Sequence, residues 1–185
     1  MESRELKLKK EKVLSSKDIF QGRILKLRVD TVLTIDGRKS TREIIEHNPC
    51  IGVVPVDAEG NILLVNQYRS PIGKDLLEIP AGGIDKGEDP AAAVIREMRE
   101  ETGLKPRKVT RLTGYYLSPG FCDEYMHLFL AEDLVTSPLS AEDTAGIEVV
   151  KVPVAKIPEL VTSDKIEDSK SVAGLLFYLE YRKTH

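Results

Sequence analysis

The sequence predicts a mixed α/β (α+β) sandwich, built from short strands around one strongly signalled helix and closed by a second helix at the C-terminus. Three observations predict it. Alternating apolar residues and hairpin turns fill the first half of the chain. A helix between Asp89 and Gly103 carries signals at both ends. The order is then strand-rich, helix, strand-rich, helix, which lacks the regular alternation of a doubly wound parallel sheet.

Residues 1–12, MESRELKLKKEK, are densely charged and are expected to fray. Residues 22–34, GRILKLRVDTVLT, alternate as a strand does. The Asp-Gly within IDGRK (35–39) is a strong two-residue hairpin signal, and STREIIE (40–46) reads as the return strand. Together they give a small antiparallel unit over about 10–47. HNP at 47–49 is a break, so residues 1–47 are expected to form an N-terminal β-unit and residues 48–185 the main domain. IGVVPVD (51–57) and NILLVNQYR (61–69) flank a turn at 58–60 as a second, more buried hairpin. DLLEIPAGG (75–83) reads as a short strand that runs into a tight glycine-containing loop.

Asp89 is placed to cap the helix and Pro90 suits its first position. Gly103 suits the C-terminal cap. At 100° per residue, Ala91, Val94, Ile95, Met98 and Thr102 share one face, which should pack on the sheet. Glu97, Glu100 and Glu101 fall on another face. Strands are expected at VTRLTGYYL (109–117) and EYMHLFLAED (124–133), either side of the loop SPGFCD (118–123). A polar loop (135–146), a strand IEVVKVPV (147–154), a short helix (156–164) and an amphipathic helix (168–183) complete the chain.

With 185 residues the chain can form one domain with a proper core, or one domain with a small appendage. Hydrophobic residues make up 41% and charged residues 31%, the balance of a soluble globular protein. The net charge of −3 argues against nucleic acid or anionic membrane as partner, though not against a small anion held at one site. No apolar run approaches membrane-spanning length, and the charged start lacks the apolar core of a signal peptide. Cys50 and Cys122 form no CxxC pair and no zinc-like cluster with histidine, so two reduced thiols in a cytoplasmic protein are expected.

REMREE, residues 96–101, poses an electrostatic problem. Its three glutamates are spaced i, i+3, i+4 and repel one another unless something compensates them. Two arrangements would do so: a solvated face partnered by Arg96 and Arg99, or a hard divalent cation such as Mg²⁺ or Mn²⁺. Pro80-Ala81-Gly82-Gly83 precedes the helix and lets backbone approach a ligand closely, with the Ala81 carbonyl able to face the same ion.

Gly82, Glu88 and Arg96-Glu97-Met98-Arg99-Glu100-Glu101-Thr102-Gly103-Leu104 together resemble the Nudix box, GX5EX7REUXEEXGU, at every fixed position. The resemblance implies a Nudix α/β/α sandwich with a mixed sheet, which hydrolyses a nucleoside diphosphate linked to another moiety. By position it makes Glu97 and Glu101 the main metal ligands, joined by the Ala81 carbonyl. Glu100 is a further ligand or a supporting acid, and Glu88 and Arg96 form a salt bridge that secures the loops. The chemistry such ions offer is neutralisation of the pyrophosphate and a more acidic bound water, with Glu100 or Glu101 as catalytic carboxylates.

Outside the box, Pro119 lies sixteen residues beyond Gly103, and QYR (67–69) and LLEIPAG (76–82) flank the same region. These features, with the N-terminal β-unit, resemble the ADP-ribose pyrophosphatase subfamily. The resemblance implies cleavage of ADP-ribose, or a related nucleotide sugar such as GDP-mannose, by a homodimer joined through its N-terminal strands. A nucleotide-binding regulator on the same scaffold is the competing class. Arg42, Arg69, Glu78 and Pro119 become candidate substrate contacts. Three of them also have a plainer reading: Arg69 as a surface arginine, Glu78 as a buried structural partner, Pro119 as a turn proline. Phe20, Arg23 and Arg28 are candidate neighbours of the base. One departure stands out. The subfamily places a catalytic glutamate about two residues before the strand IEVV, where this chain has Ala145, and Glu142 or Asp143 would have to substitute.

Overall fold

The computed structural model describes residues 10–141 and 144–185. Residues 1–9 and the candidate acids Glu142 and Asp143 lie outside the described residues. The chain divides into two compact units. One comprises the N-terminal residues to Asn48 together with Ser118–Glu124, and the other Pro49–Leu117 with Tyr125–His185.

In the first unit, strands β1 (Lys12–Gln21), β2 (Leu25–Leu33) and β3 (Lys39–His47) form an antiparallel sheet in that order. The Asp36-Gly37 turn joins β2 to β3, with Gly37 at φ 84°. β1 was not foreseen as a strand. Its sequence, KVLSSKDIFQ, has no clean alternation, and all ten residues are exposed, so no buried face imposes a period of two. Ser118–Glu124 joins this unit through Ile45, whose N–H donates to the Phe121 carbonyl and whose carbonyl accepts from the Asp123 N–H.

Among the described residues the second unit contains two sheets and three α-helices. One sheet has the order β7-β4-β9-β8: β4 (Cys50–Pro55), β7 (Ala81–Gly83), β8 (Leu104–Tyr116) and β9 (Tyr125–Thr136). β4 runs parallel to β9 and antiparallel to β7, so the sheet is mixed. The other sheet pairs β10 (Glu148–Pro153), β5 (Asn61–Arg69) and β6 (Lys74–Glu78). The expected strand over 75–83 is thus two strands in two sheets, with Ile79-Pro80 as the link. Proline lacks the N–H that a continuous ladder would require.

Side chains alternate across the central strands and build a core on each face. Ile51, Val53, Phe129 and Ala131 pack with Ala93, Val94 and Met98 of helix α1 (Pro90–Thr102). Val54, Leu128 and Leu130 pack with Ile157 of α2 (Ile157–Thr162) and with Leu175 and Tyr178 of α3 (Ser169–Tyr181). Helices therefore cover both faces, as the α/β/α expectation requires. Truncating a fully enclosed side chain such as Met98 would cost about 2–5 kcal/mol.

The ends of α1 follow the sequence signals. Asp89 Oδ1 accepts from the Ala91 and Ala92 N–H groups, and Gly103 closes the helix at φ 71°. The buried stripe differs from the expected one. Ala93, Val94, Glu97 and Met98 are buried, whereas Ile95 and Thr102 are only partly so. Glu97 lies inward because the β7 loop folds over it.

Candidate active site

Three elements meet around one cavity of about 340 Å³ in the second unit: the end of β5, the loop-strand Ala81-Gly82-Gly83, and the C-terminal half of α1. Gln67, Arg69, Ala81, Gly82, Gly83, Arg96, Glu97, Glu100 and Glu101 line it, with Ala141, Thr144 and Ile147 from the polar loop. The box glutamates are thus brought together with Arg69.

Arg96 organises the carboxylates. Its Nε and Nη2 fork onto Glu88 at 3.0 and 2.9 Å, and Nη2 also donates to the Gly83 carbonyl at 2.8 Å. Nη1 donates to Glu97 at 2.6 Å and more weakly to Glu100 at 3.3 Å. Glu88 falls below the usual carboxylate range because of Arg96. The expected Glu88–Arg96 latch is present in this geometry, and Arg96 does more than the sequence indicated. It ties the loop to two of the three candidate ligands.

Glu97 and Glu101 are held differently. Burial pushes the Glu97 carboxyl up, against the pull of Arg96. Glu101 accepts a hydrogen bond from the Ala81 N–H at 3.1 Å. Burial, and next the Glu97 charge, push Glu101 up to about 8, while the Ala81 N–H, Lys170 and Arg69 offset this only in part. Two buried carboxyls sharing one space favour a cation. Glu97, Glu100 and Glu101 offer the hard oxygen donors that Mg²⁺ and Mn²⁺ prefer, so the donor set fits such an ion. Among the described residues no three His, Cys, Asp or Glu side chains already form a metal cage. Arg96 bridges Glu97 and Glu100 here, so ligation would require their carboxylates to turn.

Arg69 and Glu78 form a pair. Arg69 Nε and Nη2 fork onto the Glu78 carboxylate at 2.7 and 2.6 Å, and Glu78 is fully enclosed, at 1% exposure. Glu78 does not line the cavity, whereas Arg69 does. Sequence reasoning missed what lies behind them. Lys170 Nζ also bonds Glu78, and it lies 2.8 Å from Asp168. Asp168 caps α3 by accepting from the Ser171 N–H, and the Ser171 hydroxyl accepts from the Ile79 N–H at 2.8 Å. A lysine in the first turn of an amphipathic helix reads as a solvated residue. The burial of Lys170 depends on a partner 92 positions away.

Arg42 and Pro119 belong to the first unit. Arg42 forks onto Glu11, with Nε at 3.1 Å and Nη2 at 2.5 Å, and its Nη1 donates to the Thr41 carbonyl. Pro119 is exposed, at the start of the turn in which the Ser118 carbonyl accepts from the Phe121 and Cys122 N–H groups. Phe20 is 57% exposed. Arg28 is tied to Asp30 and Glu46. Cys50 is buried and Cys122 partly so, and the two form no disulfide.

Comparison with known proteins bears directly on this arrangement. A model of the Nudix domain matches residues 46–173, which include the whole cavity. The chain belongs to the Nudix family. Residues 11–45 match a nucleoside diphosphate sugar hydrolase N-terminal domain. The ADP-ribose pyrophosphatase of Bacillus subtilis (strain 168) is 37% identical, over 96% of this chain and 97% of its own. A methanol dehydrogenase activator of Bacillus methanolicus is 35% identical, over 92% of this chain and 94% of its own. A crystal structure of an ADP compounds hydrolase covers 95% of this chain and 96% of its own at a TM-score of 0.89. At 22% identity it supports the Nudix fold alone. No helix among the described residues is long and apolar enough to cross a membrane.

Proposed function

We propose that this Nudix protein is a Mg²⁺- or Mn²⁺-dependent hydrolase that cleaves the pyrophosphate bond of ADP-ribose, or of a related nucleotide sugar, to AMP and ribose 5-phosphate. The observation that carries the reading is the convergence of Glu97, Glu100, Glu101 and Arg69 on one cavity beneath a complete box. The B. subtilis relative, similar over nearly its whole length, supports the choice of ADP-ribose.

In this reading Glu97, Glu100, Glu101 and the Ala81 carbonyl would hold the divalent ions. Bound there, such ions supply charge neutralisation to the pyrophosphate and lower the pKa of a water. Arg69 presents a fixed positive charge to a phosphoryl oxygen and is itself held by Glu78. Gly82 and Gly83 leave room for the diphosphate beside the backbone. A carboxylate receives the proton of the attacking water, as the new P–O bond forms and the bridging P–O bond breaks. Ala145 has no acid to offer, so Glu142 or Asp143 is assigned that role, with Glu100 or Glu101 as the box alternative. Arg42 and Pro119 are assigned to the nucleoside or ribose ends of the substrate.

The homodimer belongs to the same proposal. β1 is an edge strand, and its Val13, Leu14, Ile19 and Phe20 are all exposed in the single chain. A long edge strand that exposes four apolar side chains invites pairing with a second copy. The two free thiols fit a cytoplasmic location. The weak negative charge speaks against nucleic acid or membrane as partner.

GDP-mannose is the second reading, supported by a GDP-mannose pyrophosphatase of Yersinia enterocolitica that is 34% identical over 68% of this chain. A panel of ADP-ribose, GDP-mannose and NADH with Mg²⁺ or Mn²⁺ decides between them. ADP-ribose has no phosphomonoester, so phosphate released by an added phosphatase reports cleavage. The highest kcat/KM is expected for ADP-ribose. A preference for GDP-mannose would establish the second reading, and no turnover of any substrate would leave a nucleotide-binding regulator.

A further inference from the structure

Four charged groups form a continuous chain from the cavity to the start of α3: Arg69, Glu78, Lys170 and Asp168. Glu78 Oε1 accepts from Arg69 Nε, and Glu78 Oε2 accepts from both Arg69 Nη2 and Lys170 Nζ. Lys170 is in turn divided between Glu78 and Asp168. Exposures of 1% for the Glu78 side chain and 9% for that of Lys170 remove these charges from the screening of bulk water. The chain is neutral overall, with two cations and two anions, and only its Arg69 end lines the cavity.

The sharing matters for Arg69. A guanidinium that forks onto a carboxylate of its own has most of its charge cancelled before any phosphate arrives. Here a second cation draws on the same carboxylate, so Arg69 keeps positive charge toward the cavity. Asp168 limits the effect by drawing on Lys170 from the other side. The network also fixes geometry. Ser171 bonds Asp168 and the Ile79 N–H, which locks the start of α3 to the link between β6 and β7, beside Glu78.

We propose that Lys170 is a positioning residue for phosphate recognition: by sharing Glu78 with Arg69, it leaves the Arg69 guanidinium oriented and positive toward the pyrophosphate of the substrate. The inference rests on the cavity being a pyrophosphate site. It adds Lys170 and Asp168 as residues that set substrate affinity without touching the substrate.

Affinity for inorganic pyrophosphate, measured by calorimetry with Mg²⁺ on the full chain, tests it independently of which nucleotide sugar is cleaved. The electrostatic role predicts opposite signs for two variants. Asp168→Asn keeps a capping side chain and frees Lys170 for Glu78, so the Kd should fall about threefold. Lys170→Met combined with Asp168→Asn removes the cation without stranding Asp168, so the Kd should rise about tenfold above wild type. KM for the best substrate should move with Kd, and kcat should stay within about twofold. Lys170→Arg in the wild-type background should keep the Kd within about threefold of wild type. A scaffold role alone would move both variants in the same direction, or neither, and either result overturns the proposal. If the double variant does not fold, Asp168→Asn decides alone, since unchanged or weakened binding contradicts the mechanism. Failure of wild type to bind pyrophosphate would overturn this inference. Pyrophosphate binding without ADP-ribose turnover would overturn only the substrate assignment.

Discussion

A Cβ built on Gly82 would sit 2.0 Å from Oε1 of Glu97 and 2.5 Å from its Oε2. The backbone of β7 thus rests directly against a box carboxylate, and Arg96 Nη1 donates to the same Oε1 at 2.6 Å. Gly82→Ala should therefore force Glu97 out of position. Because the clash is with a side-chain end, the fold should survive with a loss of about 1–2 kcal/mol, while kcat/KM falls at least about a hundredfold. Thermal unfolding and steady-state kinetics check this. Near-normal activity in Gly82→Ala would show that the Glu97 position is not critical.

Arg96 makes five hydrogen bonds from its guanidinium, to Glu88, Glu97, Glu100 and the Gly83 carbonyl. Lysine retains the charge but cannot form this fork. Arg96→Lys should lower stability by about 2 kcal/mol and reduce activity as well, since the loop and two candidate ligands lose a shared anchor. Denaturant titration measures the first effect. A stability equal to wild type would remove Arg96 from the role of latch.

The pH dependence of stability has a separate source at Asp57, on the turn between β4 and β5. Its Oδ1 accepts from the Glu59 and Asn61 N–H groups at 3.1 and 2.8 Å, and Lys151 lies 3.1 Å from Oδ2. Burial alone would raise this carboxyl, but the Asn61 donors and Lys151 outweigh burial and bring it to about 2. A depressed value means that the ionised form favours the fold. Its contribution is complete above the ordinary 3.8 and is lost as pH falls through about 2. Asp57→Asn should cost about 1 kcal/mol at pH 7, after allowance for solvent screening, and the gap to wild type should close between pH 3.8 and 2. A gap that stays constant over that range would contradict the assignment.

Much of the second unit was legible in the sequence because its signals are local. Asp89, Pro90 and Gly103 marked the ends of α1, and the box marked the cluster of glutamates and the Glu88–Arg96 latch, though not the contact of Gly82 with Glu97. The apolar run IGVVPV marked a more buried strand, which the structure shows enclosed on both faces. What was not legible depends on partners distant in sequence. β1 has an exposed, largely polar sequence with no period to read. Ile79-Pro80 divides what looked like one strand, because each half has its own partner strand. Glu78 and Lys170 could not be connected, since a buried ion pair leaves no mark in either local sequence. Arg69 was legible as a residue near the site, but its fork onto Glu78 was not.

The most direct test of the account compares wild type with Glu101→Gln on ADP-ribose in the presence of Mg²⁺. Glutamine keeps the shape of Glu101 and an oxygen for the Ala81 N–H, but removes the charge assigned to metal binding. The account predicts AMP and ribose 5-phosphate from wild type, and a fall in kcat/KM of well over about tenfold, or 1.4 kcal/mol, in the variant. Wild-type turnover with a fall of less than about tenfold in Glu101→Gln would contradict the metal-site assignment.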